Sequence, residues 1–406
     1  MVRPASATPA LVLSHGPGGL GATRSLSRLG VPVTVVIYDD HDPARYTRLS
    51  FNMLSVQGED HAERESNLLE LLRSLDMDGA AILTTSDRLV SFVSVHRDEL
   101  SRKYRFNLPP TEMLDGLNDK SREVRLIESL GFEIPRTVTA LPAEPRLLDA
   151  ELRYPLIIKP HSFNAENVFP HKNAIIPDRR QLEEFYEVWE AALPSVLAQE
   201  VIPGPDTYSW VGSGTFDTNH ELLDYGIKQK LRCLPAHFGG STCARSRDNS
   251  EILRLSRELG KALRYVGHAG VEFRWDDRDR SFKYIEINPR MPANVGFDEA
   301  CGLKTVWNSY RIALDEEPDR LPRAQRNGVY FLDLRGDSYS MREDGLSPAR
   351  IIGDYLSLLF KKTNGMYFAW DDPVPGFYVG WRFVMQKLRG LNRRLRRRVT
   401  AALIMS

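Results

Sequence analysis

Residues 270–290 read GVEFRWDDRDRSFKYIEINPR. Two runs in which aromatic and β-branched residues alternate with polar ones flank the charged segment DDRDR, the pattern of a β-hairpin. Such a hairpin sets Glu272 and Glu286 on neighbouring strands. Side chains two apart on an extended strand face the same way, so Glu286, Asn288 and, if the strand persists past Pro289, Arg290 project together. Magnesium takes hard oxygen ligands, usually one or two carboxylates plus nucleotide phosphates. Glu272, Glu286 and the amide oxygen of Asn288 fit such a site. On spacing alone, an exposed strand face whose charges pair with solvent or with Arg274 fits equally well.

Upstream, DKSREVRLIESLG (119–131) reads as a helix ended by Gly131, and FEIPRTVTA, YPLIIKP and SVLAQEVIPG follow as short extended segments. TYSWVGSGTF, LLDYGIKQKL, GVEFRWDD and SFKYIEINPR give four more strands, with the helix EILRLSRELGKALRYVG among them. The region is expected to be α+β on an antiparallel sheet. Lys159 ends the apolar run PLIIK, where an unpaired ammonium is costly and a phosphate is a suitable partner. Lys120 opens the helix at Asp119 and can direct a second cation at the same anion. Lys228, Lys230 and Arg232 alternate on one strand and either line a phosphate channel or form a solvated face.

The first third alternates strand and helix patterns, from ALVLSH (10–15) to AAILTTSD (80–87), which implies βαβ units and a parallel sheet covered by helices. Gly16, Gly18 and Gly21 form a GxGxxG after a strand, and Asp39 ends the next one, a dinucleotide-binding pattern. A tight turn near a carboxylate substrate is the preferred reading, with a nicotinamide-dependent oxidoreductase as the minor alternative. Asp87 lies at the C-terminal edge of a parallel strand, where ligands approach, or caps a helix. Residues 100–118 read as a connector and 337–347 as a polar loop.

The chain has 406 residues, 42% hydrophobic and 27% charged, with zero formal net charge. That length favours two or three domains, and neutrality argues against electrostatic attraction to nucleic acid. Cys233, Cys243 and Cys301 show no zinc or disulfide spacing, which points to a reducing cytoplasm. No export signal or run of roughly 18 uninterrupted apolar residues is seen. Trp381, Val384, Met385, Leu388, Leu391, Leu395 and Val399 fall at helical spacing among arginines and lysines, and no acid follows Asp372. This basic amphipathic segment can lie on an anionic membrane surface, dock on the protein body or make a homodimer contact. The last two are preferred, so the chain is expected to be cytoplasmic and at most membrane-peripheral.

In order, DK, YPLIIKP, AQEVIPGPD, GVEF and IEINPR resemble the ATP-grasp superfamily, over roughly residues 120–308. The segments TTSD and LPPTEMLDGLNDK resemble its predicted ATP-dependent carboligases and the D-aspartate ligase group. The resemblance implies a Rossmann-like N-terminal parallel sheet (1–118), then an ATP-grasp fold of two α+β subdomains (119–315, divided near 194) and a C-terminal extension (316–406). It implies ATP and Mg2+ or Mn2+ as cofactors. Lys120, Lys159 and Lys228 would contact nucleotide phosphates, Gln199, Glu200 and Ile202 would line the adenine, and Asp206 would hold the ribose. Glu272, Glu286 and Asn288 would be the metal ligands, and Arg290 would bind the acyl substrate or its phosphorylated form, with Arg290 and Lys159 the catalytic pair. The implied activity is carbon–nitrogen ligation of small carboxylate and amine substrates through an acyl phosphate. A catalytically altered ATP-binding module is the alternative, because PHSFNAENVF after Lys159 contains no glycine and would close through Ser162, Asn164 and backbone amides.

Overall fold

The computed structural model describes residues 7–162, 168–171, 173–319 and 324–386. Strands β1 (Ala10–Ser14), β2 (Val33–Ile37), β3 (Asn52–Ser55) and β4 (Ala81–Thr84) form a parallel sheet in the order β3-β2-β1-β4. Three of its strands are buried throughout, as their near-continuous apolar sequences require of a sheet covered on both faces. Strands β5 (Thr137–Val138), β6 (Leu156–Pro160), β7 (Ala174–Ile176) and β8 (Val196–Glu200) form a small antiparallel sheet in the order β5-β8-β6-β7.

The third sheet has seven strands: β9 (Ser209–Phe216), β10 (Leu222–Leu234), β11 (Gly240–Ser246), β12 (Gly267–Asp276), β13 (Ser281–Asn288), β14 (Tyr330–Leu332) and β15 (Thr363–Gly365). Their order is β13-β12-β9-β10-β11-β14-β15. One face packs Ile227, Val271, Phe273 and Ile287 against Ile252, Leu259 and Leu263 of the helix Ser250–Leu263. The opposite face carries the polar side chains described below. The mixed α/β and α+β architecture is the one expected, with a parallel sheet followed by a small antiparallel sheet and a larger, mostly antiparallel one.

Four sequence expectations change. The polar segment read as a loop is largely the helix Leu334–Glu343. Its buried residues are Gly336, Asp337, Ser340 and a single apolar side chain, Met341, so no apolar stripe marks it. Arg232 donates to both carboxylate oxygens of the buried Asp337 at 2.8 Å and fastens this helix to β10, rather than lining a channel. Residues beyond 315 also complete the central sheet through β14 and β15. The connector likewise holds a helix, Thr111–Asn118.

The glycine motif has a packing role. Gly16 sits at φ +90°, and a Cβ on Gly21 would lie 2.7 Å from Val295 Cγ1 and 3.1 Å from Gly296 N. The helix Pro17–Arg28 thereby approaches the segment following Arg290, and Met291 and Val295 enter the core of the parallel sheet. Asp42 occupies the N-terminus of that helix: its Oδ2 accepts from Gly16 N at 2.8 Å and Ser14 Oγ at 2.7 Å. A carboxylate of the chain itself thus takes the place a pyrophosphate takes in a dinucleotide fold. All three cysteines are free and buried. Of the basic segment at the end, 387–406 lies outside the described residues; residues 374–386 are helical, with Trp381 and Val384 exposed.

Candidate active site

The hairpin register places Glu272 directly opposite Glu286 and Gly270 opposite Asn288. Strand β9 continues the same face, with Val211 beside Glu272 and Ser213 beside Gly270. Arg274 takes no part in pairing these acids; it donates to the carbonyls of Ile202 and Gly204 and to Ser209 Oγ.

Lysines surround the two carboxylates. Lys230 Nζ lies 2.5 Å from Glu272 Oε1, and Lys120 Nζ lies 3.7 Å from Glu286 Oε2. Lys120 also donates to Glu123 Oε2 at 2.8 Å. The buried Glu123 is in turn held by Tyr284 Oη at 2.5 Å and Ile287 N at 3.1 Å, both on β13. Burial alone would lower the Lys120 ammonium, but Glu123 and Glu286 outweigh it and hold it above its ordinary value. Lys159 Nζ donates to Gln199 Oε1 at 2.9 Å. Its burial, with Lys120 nearby, pushes it below the ordinary lysine range despite Glu286. An ammonium in that state gains from a polyphosphate anion.

Asn288 and Arg290 continue the face. Asn288 Nδ2 donates to Glu286 Oε1 at 3.1 Å, and Arg290 Nη2 donates to Asn288 Oδ1 at 3.1 Å. Arg290 Nε donates to Asp87 Oδ1 at 2.8 Å. Asp87 is therefore neither free nor the cap of its helix; Ser86 caps it through Leu89 N. A Cβ built on Gly270 would meet only Ser213 Cβ and Val211 Cγ1, both at 3.9 Å, so a methyl group would fit beside Asn288 without a clash.

The remaining expected residues fall as follows. Gln199 and Glu200 end β8, and Gln199 Nε2 donates to Thr137 Oγ1 at 2.9 Å. Both Glu200 oxygens are engaged within the protein, by Arg153 N and Arg278 Nη1. Ile202 is buried, and its carbonyl is held by Arg274. Asp206 Oδ1 is bound by His237 Nδ1 at 2.9 Å, whose Nε2 lies 3.2 Å from Asp344 Oδ1. Lys228 departs from expectation: Nζ lies 2.7 Å from Asp298 Oδ1, both residues being buried. Its neighbour two positions on, Lys230, is the lysine on the carboxylate face. Gly239 lies in the turn joining β10 and β11 and Gly240 opens β11, and Gly239 O accepts from Lys230 Nζ at 3.2 Å. Ser162 is described, whereas Asn164 lies outside the described residues.

Sequence reading passed over Glu123 and the pairing of His237 with Asp206. Glu123 carries a local signal, since it stands three residues after Lys120 on one helix. That pairing carries none, because Asp206 and Asp344, the two carboxylates on His237, lie far apart in the sequence. Among the described residues no three His, Cys, Asp or Glu side chains form a metal cluster. The donor set of Glu272, Glu286 and Asn288 nevertheless consists of hard oxygens on one face, which suits Mg2+ completed by phosphate oxygens and water.

Residues 117–294 match the family model described as ATP-grasp domain, so the chain carries an ATP-grasp domain. The D-aspartate ligase of Enterococcus faecium (strain Aus0004) is 23% identical over 245 residues, 55% of this chain and 56% of that protein. The chain thus spans just over half the length of that relative. Among solved structures, the biotin carboxylase–β,γ-ATP complex from Campylobacter jejuni has a TM-score of 0.63 at 16% identity, covering 80% of this chain and 74% of that one. The L-amino acid ligase from Bacillus licheniformis has a TM-score of 0.58 at 17% identity, covering 80% and 78%. These likenesses establish a shared fold.

Proposed function

We propose that this chain is an ATP-dependent ligase that joins a small carboxylic acid to an amine through an acyl phosphate, releasing ADP and phosphate. The observation that carries the reading is the opposed pair Glu272 and Glu286, flanked by Lys120, Lys230 and Lys159 and continued by Asn288 and Arg290. Oxygen ligands, buried or half-buried ammonium groups and a guanidinium on one face suit a triphosphate beside an acyl group. Phosphoryl transfer asks for charge neutralisation and in-line positioning more than for a protein nucleophile.

In this reading Glu272, Glu286 and Asn288 hold the Mg2+ or Mn2+, which neutralises phosphate charge when bound. Lys120 and Lys159 bind the phosphates, Lys230 keeps Glu272 oriented, and Glu123 keeps Lys120 aimed at Glu286. Gln199, Glu200 and Ile202 border the adenine and Asp206 the ribose. A carboxylate oxygen of the acid attacks the terminal phosphorus and ADP leaves. Arg290, oriented by Asp87, neutralises the acyl phosphate; the amine attacks the carbonyl carbon, phosphate departs with the bridging oxygen, and the amine loses a proton. The D-aspartate ligase and the L-amino acid ligase support an amino acid as one of the two substrates. Three buried thiols without a disulfide suit a reducing, cytoplasmic setting.

The test is ADP release over amino acids and small carboxylates paired with amines, followed by mass measurement of the product. ADP formed only when acid and amine are both present supports the reading, whereas AMP with pyrophosphate overturns it.

A further inference from the structure

Exposed large apolar side chains are unevenly distributed over the described chain. Leu334, Ile352, Leu356, Leu359, Phe360, Trp370, Phe377, Trp381 and Val384 are all exposed and all lie between positions 334 and 384. Only seven others are exposed in the rest of the described chain, and none of those is a tryptophan. Scattered single apolar residues need no explanation, but a concentration of this kind does.

The concentration is organised by helices. Ile352, Leu356 and Leu359 recur at i, i+4 and i+7 on the outer face of the helix Pro348–Leu359, while Ile351 and Leu358 are buried. Phe360 follows at 92% exposure. The same spacing sets Phe377, Trp381 and Val384 on one face of the helical stretch 374–386, near Trp370 at 91% exposure. Both helices flank Leu334–Glu343: Tyr355 Oη donates to Leu334 O at 3.5 Å, and the rings of Tyr339 and Phe383 lie 6.1 Å apart. Each helix is thus anchored on its inner side and keeps an outer apolar stripe.

Charge indicates what meets this face. The sequence continues from the second helix into residues 387–406, which contain Lys387, Arg389, Arg393, Arg394, Arg396, Arg397 and Arg398 and no acid. Lys361 and Lys362 follow Phe360 and are exposed, and Asp354 between the apolar positions is paired with Arg350 at 3.4 Å. A second copy docking through this face would bring like charges together in a two-fold contact, which opposes association. Exposed tryptophans in a chain whose sequence then runs into clustered arginines suit instead the headgroup region of an anionic bilayer. There the aromatic rings sit at the interface and the basic groups meet lipid phosphates. An apolar insertion and a polybasic segment together supply the two signals that stable peripheral attachment needs. No described helix is long and apolar enough to cross a membrane, so attachment through these helices would be at the surface.

We propose that the face formed by Phe360 and the helices Pro348–Leu359 and 374–386 binds anionic phospholipid membranes, the basic sequence that follows adding charge attraction. The proposal does not depend on the ligase reading.

The test is co-sedimentation of the full chain with vesicles of phosphatidylcholine alone and of phosphatidylcholine with phosphatidylglycerol, at low and high salt. Binding to the anionic vesicles only, weakened by salt, is expected. Trp370→Ala combined with Trp381→Ala should weaken that binding by about tenfold or more, and so should replacing Arg393, Arg394, Arg396, Arg397 and Arg398 by glutamine. Parent and variants should show the same melting temperature and ADP release. Equal sedimentation with both vesicle types overturns the proposal. So does a parent that ignores vesicles and elutes as a dimer which the tryptophan substitutions convert to monomer.

Discussion

Arg290 and Asp87 are 203 positions apart and joined at 2.8 Å, which ties the end of the β12–β13 hairpin to the edge of the N-terminal parallel sheet. The same guanidinium reaches Asn288 Oδ1, so its direction is fixed from both sides. Arg290→Ala should lower turnover about 10²–10³-fold, the range for losing a charge-stabilising group. Asp87→Asn should cost less in turnover and raise KM for the acid, because it loosens the arginine without removing it. Steady-state kinetics with the acid as varied substrate distinguish the two effects. Equal losses in both variants would place Asp87 in direct contact with substrate.

Two lysines on one strand face make a second contrast. Lys228 and Asp298 form a buried pair, and removing one partner leaves a charge without compensation. Lys228→Met should therefore destabilise the protein by about 3–5 kcal/mol, with Lys228→Met/Asp298→Leu recovering much of the loss in urea denaturation. Lys230→Met should leave the denaturation midpoint closer to the parent and depress turnover, because Glu272 loses its orienting ammonium.

His268 gives a pH dependence. It is buried, near Lys228 and Arg290, and burial first of all, then those cations, pushes it down to about 3. Its ordinary value is about 6.5. Between those values the unfolded chain binds the extra proton and the folded chain does not. The contribution to stability is complete above pH ~6.5 and is lost as pH falls toward 3, reaching about 2 kcal/mol near pH 5. His268→Leu should flatten the fall in stability across that interval. An unchanged slope would contradict the assignment.

The glycine motif is tested by Gly21→Ala. The new methyl would meet Val295 and the Gly296 backbone. A loss of about 1–3 kcal/mol in urea denaturation is expected, while addition of NAD should stabilise neither parent nor variant. A rise in melting temperature with NAD would restore the dinucleotide reading.

Much of this site is legible in the sequence because a hairpin is local. DDRDR fixes the turn, and a period of two then decides that Glu272, Glu286 and Asn288 share a face. The same period cannot separate Lys228 from Lys230, which point the same way; Asp298, on a distant helix, decides between them. Asp87 and Arg290 are individually visible as strand-end residues, but their pairing depends on how two sheets pack. The helix Leu334–Glu343 escapes pattern reading because it buries Asp337 against Arg232 rather than an apolar stripe. The apolar faces at 352–360 and 377–384 carry helical spacing, but only the fold shows that they point outward.

The most direct test of the ligase account follows an oxygen atom. Once the acid substrate is known, its carboxylate is labelled with ¹⁸O and turned over with ATP, magnesium and the amine, and the released phosphate is weighed by mass spectrometry. Attack of the carboxylate on the terminal phosphorus predicts one ¹⁸O atom in the inorganic phosphate and none in the nucleotide, with no labelled phosphate from Glu286→Ala. Label appearing in AMP, or unlabelled phosphate during product formation, would contradict the acyl-phosphate mechanism.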